Sequence, residues 1–262
     1  PHPRQGRVCG PLPEASIDQR GVLCLHGLTG SPDELTPLSE ALSSSGFLVR
    51  TPLLSGHGHD VATLAKTTRK DWIASADAAL SALVAECGGP VAIVGMSAGG
   101  LIAMQLTLAR PKDVRALVLL STPVKLSIPA STEIRLALML PPMLRPHALT
   151  EIRKLHGPNV NDPTFASGLR SLRAYPIQAL GELLRLMSDV RPRLAEIAQP
   201  VMIAHGELDA TVKRAQIDVL AAALTKAARV ERLSLPQSAH LVAIDRDRDL
   251  LSTRVISFLQ SV

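Results

Sequence analysis

The sequence predicts an α/β fold: a mostly parallel, doubly wound sheet, with a helical cap inserted before the strand that leads to a candidate acid. Three observations predict it. Short apolar runs alternate with longer helix-prone stretches, the mark of strand–helix–strand units closed by right-handed crossovers. The turn Gly95-Met96-Ser97-Ala98-Gly99 stands directly between an apolar run, Val91 to Val94, and a helix-prone run, Gly100 to Ala109. The interval from about 124 to 192 breaks the alternation with pieces separated by Pro129, Pro141, Pro142, Pro146, Pro158, Pro163 and Pro176. A connection of that length inside one domain is usually functional.

Taken in order, residues 1 to about 19 are rich in Pro, Gly and Arg and read as a tail or a short lead-in strand. Strands are expected near 22–25, 47–50, 91–94, 116–120, 201–204 and 230–235. Helices are expected near 32–45, 71–87, 98–110, 213–227 and 243–260. Ser31-Pro32-Asp33-Glu34 has the chemistry of a helix start: a serine cap, proline in the first turn and acids at the positive end of the dipole. The chain divides into a first core part (1–123), the cap (124–192) and a second core part (193–262). At 262 residues it is long enough for one full core with an insertion.

Strand, serine and helix in succession make G-x-S-x-G a nucleophile elbow, with the Ser97 hydroxyl standing at the carboxyl edge of the sheet. A serine needs a base, an acid to orient that base, and donors for an oxyanion. His240 ends the loop Pro236-Gln237-Ser238-Ala239, which follows the alternating run Val230-Glu231-Arg232-Leu233-Ser234-Leu235. That position suits the base; a surface histidine capping the last helix is the plainer alternative. Asp209 comes off the buried run Val201 to Ala204 and is the expected acid, with Glu207 its nearest rival. Asp245 and Asp247 are assigned to the exposed face of the last helix. Another apolar run, Gly21 to Leu25, ends in His26-Gly27-Leu28-Thr29-Gly30. Backbone N–H groups of Leu28 and of Ala98, the residue after the nucleophile, are the expected oxyanion donors, and Gly27 allows close approach of substrate. His26 reads as a structural residue of its loop. Gly27, Met96, Met139, Met143 and Val212 are the candidate substrate-binding residues.

These segments resemble the α/β-hydrolase superfamily, and within it the small bacterial carboxylesterase and monoacylglycerol lipase branch. His26 to Gly30 resembles that branch's H-G-[FL]-T-G oxyanion loop, and Pro52-Leu53-Leu54-Ser55-Gly56-His57-Gly58 its P-x-x-x-G-H-G loop. Lys70-Asp71-Trp72 resembles its D-W signature, His205 to Val212 its G-x-x-D-x-x-V acid loop, and Ser238-Ala239-His240 its S-x-H loop. The match is collinear from about residue 20 to 262. It implies an α/β-hydrolase fold, a Ser97–Asp209–His240 triad with Leu28 and Ala98 as oxyanion donors, and cleavage of short-to-medium acyl esters or monoacylglycerols through an acyl-enzyme, with no cofactor. Thioesterase, amidase and carbon–carbon bond hydrolase use the same triad. A non-catalytic binding protein on this fold predicts a broken triad, whereas every position is filled here. Alanine at 98, where the branch often has a larger residue or glutamine, leaves the backbone donor unchanged.

Composition narrows the partners. No run reaches the apolar length of a membrane span, and no secretory signal pattern opens the chain. A cytoplasmic location is the expectation, although the sequence begins Pro1-His2-Pro3-Arg4 without methionine. Cys9, Cys24 and Cys87 are too few for a disulfide framework and read as free thiols. No zinc-type ligand spacing or nucleotide loop is present, and His57-Gly58-His59 is better explained as part of the loop above than as a metal site. Residues 125 to 193 hold ten Lys/Arg against five Asp/Glu, an excess equal to the +5 of the whole chain. Solvated helix faces explain this excess most simply; weak contact with an anionic membrane surface is the alternative. Nothing supports nucleic-acid binding, since aromatics are scarce. The expected partner is a small ester or lipid substrate, and no oligomeric state is specified. The apolar stretch from Ile134 to Leu144 is expected to pack the cap and to line part of an acyl pocket.

Overall fold

A computed structural model describes residues 20–125, 128–141, 144–146, 150–154, 158–166, 169 and 171–262. Among these residues six strands form one parallel sheet: β1 (Gly21–Leu25), β2 (Leu48–Arg50), β3 (Val91–Met96), β4 (Val114–Leu120), β7 (Val201–Gly206) and β8 (Val230–Leu235). Their order is β2-β1-β3-β4-β7-β8. The sheet is doubly wound about β1 and β3, as the alternation of elements predicts.

Side chains on a strand alternate between faces, so each apolar run feeds two cores. Leu23, Leu25, Ile93, Leu117, Leu119 and Ile203 enter one core. That core is closed by α3 (Arg69–Cys87), α4 (Ala98–Ala109), α7 (Ile177–Val190) and α8 (Ala215–Ala223). Val22, Cys24, Val94, Met96, Val118 and Met202 enter the other. It is closed by α1 (Thr36–Ser44) and α9 (Arg248–Gln260). Burial on both faces is why these runs are uniformly apolar. Edge strand β8 alternates, with Leu233 and Leu235 inside and Arg232 and Ser234 outside.

Helix boundaries follow local chemistry. Thr68 and Asp71 form a reciprocal capping box that starts α3, two residues earlier than expected, and Gly88 ends it in the left-handed region (φ 69°). Trp72 is fully buried, and its indole N–H donates to Thr67 Oγ1 at 2.9 Å. The helix start expected at Ser31 differs. Residues Pro32–Leu35 form a 3-10 turn before α1, and the Ser31 hydroxyl donates to Asp33 Oδ2 (3.2 Å) instead of capping a backbone N–H.

Two expectations are corrected. The last helix begins at Arg248, because Asp245 and Asp247 turn inward rather than lying on its exposed face. Asp245 Oδ2 accepts the N–H groups of Ala239 (2.7 Å) and Asn161 (2.8 Å). Asp247 Oδ2 accepts the N–H of Gln237 (2.7 Å) and the hydroxyl of Ser238 (2.8 Å). Together they brace the loop that carries His240.

The interval between β4 and β7 is, secondly, not purely helical. It holds α5 (Ile128–Met139), α6 (Pro163–Ala166), α7, a 3-10 turn (Arg191–Glu196) and an antiparallel ribbon of β5 (Glu151–Arg153) and β6 (Ala174–Pro176). Helix α7 buries Leu186 and Val190 against the main core, so it serves the sheet as well as the insertion. Arg69, at the start of α3, ties it down through Glu182 (3.0 Å) and Asp189 (2.8 Å). Cys24 is a free thiol that burial pushes up to about 12, Cys87 is half-buried at the end of α3, and Cys9 lies outside the described residues.

Candidate active site

Parallel pairing aligns the carboxyl ends of the central strands. Leu25 pairs with Gly95, Met96 with Leu120, Leu120 with Ala204, and Gly206 with Leu235. The loops after β1, β3, β7 and β8 therefore open on one edge, where open α/β sheets bind ligands. All the expected chemistry lies on these loops.

Ser97 is the elbow residue between β3 and α4, with φ 53° and ψ −115°, a conformation that costs a non-glycine residue strain. Its N–H is anchored on Leu120 O at 2.8 Å. The tight turn needs its glycines. A Cβ on Gly95 would meet the backbone of Gly99 and Gly100, and one on Gly99 would meet the carbonyls of Leu25 and His26.

Beside it, His240 Nδ1 lies 2.8 Å from Asp209 Oδ2. A carboxylate acceptor assigns the proton to Nδ1 and leaves Nε2 with a free lone pair. Asp209 Oδ1 accepts the N–H groups of Thr211 (2.7 Å) and Val212 (2.9 Å). Burial works to raise the Asp209 carboxyl, but the hydrogen bond and charge of His240 and these two N–H groups outweigh it and hold it below the usual aspartate range. The rival Glu207 is exposed and is occupied by Arg214 (3.1 Å) and the Ser234 hydroxyl. A second imidazole, that of His205, backs Asp209 with Nδ1 at 3.8 Å; burial lowers its pKa. The main chain of His240 is fixed by the insertion, since Asn159 O accepts the N–H groups of His240 and Leu241, both at 3.1 Å.

His26 is a structural residue, as expected. Its Nδ1 donates to Gly27 O (3.0 Å) and its Nε2 accepts the N–H of Leu54 (3.1 Å), tying the first loop to the loop after β2. Burial, the nearby His57 charge included, pushes its pKa down to about 3. His57 packs edge-on between the rings of His26 (5.0 Å) and Trp72 (5.7 Å), which accounts for it without a metal. Among the described residues, the N–H groups of Leu28 and Ala98 have no intramolecular acceptor.

Ser97 and His240 line one cavity of about 620 Å³, within the range of small-molecule sites. Leu28, Ile134, Leu180, Leu183, Val212 and Leu241 supply its apolar wall. Gly27 and Val212 reach it as expected. Met96 does not: it is fully buried in the core beneath α1 and α9, because it shares a strand face with Val94. Nor does Met139. On α5 the inward positions are Ala130, Ile134 and Ala137, spaced for one helical face, and Met139 falls on the other with 78% exposure. Met143 lies outside the described residues.

The cavity also has a polar end that the sequence did not reveal. Glu34, read as a helix-start acid, is buried and accepts the N–H of Gly27 (3.3 Å). Lys154 from the insertion and Tyr175 on β6 join it. No local signal marks Glu34 or Lys154, since the fold brings them to one cavity across 120 positions.

A strained serine at an elbow, an imidazole oriented by a buried carboxylate and a shared cavity at the sheet's carboxyl edge define the class of α/β hydrolases. Sequence comparison narrows this. The profile of the family described as serine aminopeptidase, S33, matches residues 18–247, and the chain belongs to that family. It is 28% identical over 239 residues to the thermostable monoacylglycerol lipase of Bacillus sp. (strain H-257), covering 91% of this chain and 89% of that one. It is 22% identical to the carboxylesterase of Bacillus subtilis (strain 168), covering 93% of each. A solved chain of the metagenome-derived lipolytic enzymes LipS and LipT superposes with TM-score 0.82 at 24% identity, over 93% of this chain and 94% of that one. The monoacylglycerol lipase of Paleococcus ferrophilus superposes with TM-score 0.76 at 18% identity, over 92% and 94%.

Proposed function

We propose that the protein is a serine hydrolase of carboxylic esters that works through an acyl-enzyme on Ser97. The observation that carries this reading is the oriented His240–Asp209 pair opening, with the elbow serine, on one largely apolar cavity. His240 takes the Ser97 proton as the hydroxyl attacks the ester carbonyl. The N–H groups of Leu28 and Ala98 receive the oxyanion. His240 then protonates the departing alcohol, and water repeats the sequence on the acyl-enzyme. Asp209 keeps its proton-free state throughout; it holds the imidazole tautomer and stabilises the imidazolium.

Short-to-medium acyl esters or monoacylglycerols are the proposed substrates. The volume and apolar wall of the cavity support a chain of that size, and the names of the two Bacillus relatives support the ester class. Residues 124–192 act as the cap: Ile134, Lys154 and Leu180 from this interval line the cavity. Leu136 and Met139, three residues apart on α5, make an exposed apolar crest with the exposed Arg135 beside them, and Leu144 is exposed further along the insertion. That crest supports weak contact with anionic lipid surfaces, which vesicle sedimentation at low and high salt tests. No helix among the described residues is long and apolar enough to cross a membrane.

The experiment is hydrolysis of p-nitrophenyl esters from acetate to palmitate, with Ser97→Ala alongside. The expected result is a rate maximum at one acyl length and loss of at least about 10⁴-fold in Ser97→Ala. Equal rates in both proteins would overturn Ser97 as nucleophile. Turnover only of acyl-thioesters or aminoacyl anilides would move the activity to the thioesterase or amidase class.

A further inference from the structure

The loop after β1 is gripped from both sides of the peptide that would bind an oxyanion. On one side Glu34 Oε2 accepts the N–H of Gly27. The fit is tight, since a Cβ on Gly30 would run into the Glu34 carboxylate. On the other side the insertion holds Thr29, a non-glycine residue at φ 67°. Lys154 Nζ donates to Thr29 Oγ1 at 2.7 Å and to Ser171 Oγ at 2.9 Å, and it lies 4.7 Å from the centre of the Tyr175 ring. The N–H of Leu172 donates to Thr29 O at 2.8 Å. Leu28, the proposed donor, sits between these two anchors.

We propose that Glu34 and Lys154 are a pair of positioning residues that fix the His26–Gly30 loop and balance each other's charge beside the developing oxyanion. The inference rests on the acyl-enzyme reading above. A buried carboxylate against this loop, left alone, opposes negative charge forming on the substrate, and low dielectric makes the opposition strong. Lys154 offsets it. The remaining titratable groups around Glu34 are His240 after β8, Asp33 in its own turn and Tyr175 on β6, whose phenol burial pushes up to about 12; Asp209 bears on Tyr175. Neither Tyr175 nor Asp33 supplies positive charge, and His240 is occupied by the proton transfer. Lys154 alone among them is therefore the standing counter-charge.

Burial drives the Glu34 carboxyl up to about 7 and the Lys154 ammonium down to about 8, each held back by the other's charge. Removing Lys154 raises the carboxyl further. Below that pKa the acid is neutral and tolerated; above it an unbalanced anion faces the oxyanion. The kcat of Lys154→Met must therefore fall as pH rises, wild type must fall in turn once Lys154 itself loses its proton near 8, and neither fall can survive removal of the carboxylate.

The test is kcat and KM for p-nitrophenyl butyrate, corrected for hydroxide hydrolysis, from pH 7 to 9.5. Wild type, Lys154→Met, Glu34→Gln/Lys154→Met and Ser97→Ala are compared. The expected result is a fall of about tenfold or more in kcat of Lys154→Met across this range, little change in KM, and a level profile in the double variant. If Lys154→Met does not fold, Lys154→Gln, which keeps a donor for Thr29, replaces it in the same comparison. A pH-independent loss, or a double variant that falls with pH as the single one does, would overturn the inference while leaving Ser97 as nucleophile. Wild-type turnover in Ser97→Ala would overturn both.

Discussion

At the scale of single residues, the site rests on groups whose ordinary chemistry has been changed by where they sit. Asp209 is held ionised by donors on both carboxylate oxygens, which suits the orienting role proposed for it rather than proton transfer. Asp209→Asn keeps the size but turns an amide N–H or a weaker acceptor toward His240. The expected outcome is a kcat loss of about 10³–10⁴-fold with nearly unchanged KM, read from steady-state kinetics. A loss under tenfold would mean that another acid, with His205 as neighbour, does this work. Ser97, Asp209 and His240 were legible in the sequence because each lies on the turn or short loop that follows a strand-like run, so the fold needed only to align the strand ends. Met96 was misread for a related reason: a strand turns its side chain to the opposite face with each residue, and one position separates cavity from core. Glu34 was hidden because its surroundings, besides the nearby Gly27 and Gly30, include Lys154 and Tyr175, far along the chain.

Elements show a similar division. The central strands of the main sheet were legible from composition, since burial on both faces leaves no room for polar residues, and edge strand β8 was legible from its alternation. Helix ends were less so. The acids after His240 read as surface residues of a helix, whereas they fold back to accept backbone N–H groups at the base of the loop. Asp245→Ala tests this. It leaves the N–H groups of Ala239 and Asn161 without their acceptor, for an expected cost of about 2–4 kcal/mol in urea unfolding. It should also lower kcat, because the loop it braces carries the base. A cost near zero would return Asp245 to the surface role. The insertion was recognisable as a departure from the alternation, but its ribbon was not: β5 and β6 are three residues each and pair across a gap of twenty positions. Two short segments so far apart leave no periodic signal to read.

For the molecule as a whole, buried titratable groups set how stability responds to acid. Burial holds His26, His57 and His205 below the ordinary imidazole range. The unfolded chain takes up these protons near pH 6.5, whereas the folded one takes them up only at lower pH, His26 at about 3. Their contribution is therefore complete above that pH and is lost as pH falls, by up to about 1.4 kcal/mol per pH unit for each group. Glu34 acts in the opposite sense. Its folded pKa, about 7, lies above its unfolded one, so its contribution is present at low pH and lost as pH rises through 7. Three imidazoles outweigh one carboxyl. Urea midpoints should fall between pH 6.5 and 5, and Glu34→Gln should steepen the fall. A midpoint independent of pH over that interval, in both proteins, would contradict this balance.

The strand order has a further consequence, for the time at which the site comes into being. The sheet grows outward from β1 and β3, and its last two strands, β7 and β8, deliver the acid and the base. During synthesis from the amino end, the elbow serine emerges well before the imidazole that would activate it. The anchors of its neighbouring loop, Lys154 and Leu172, emerge between the two. A half-made chain thus exposes a serine with no base and a loop with no grip. On the proposed mechanism, the nascent polypeptide stays inert toward esters until β8 has emerged and brought His240 to the edge of the sheet.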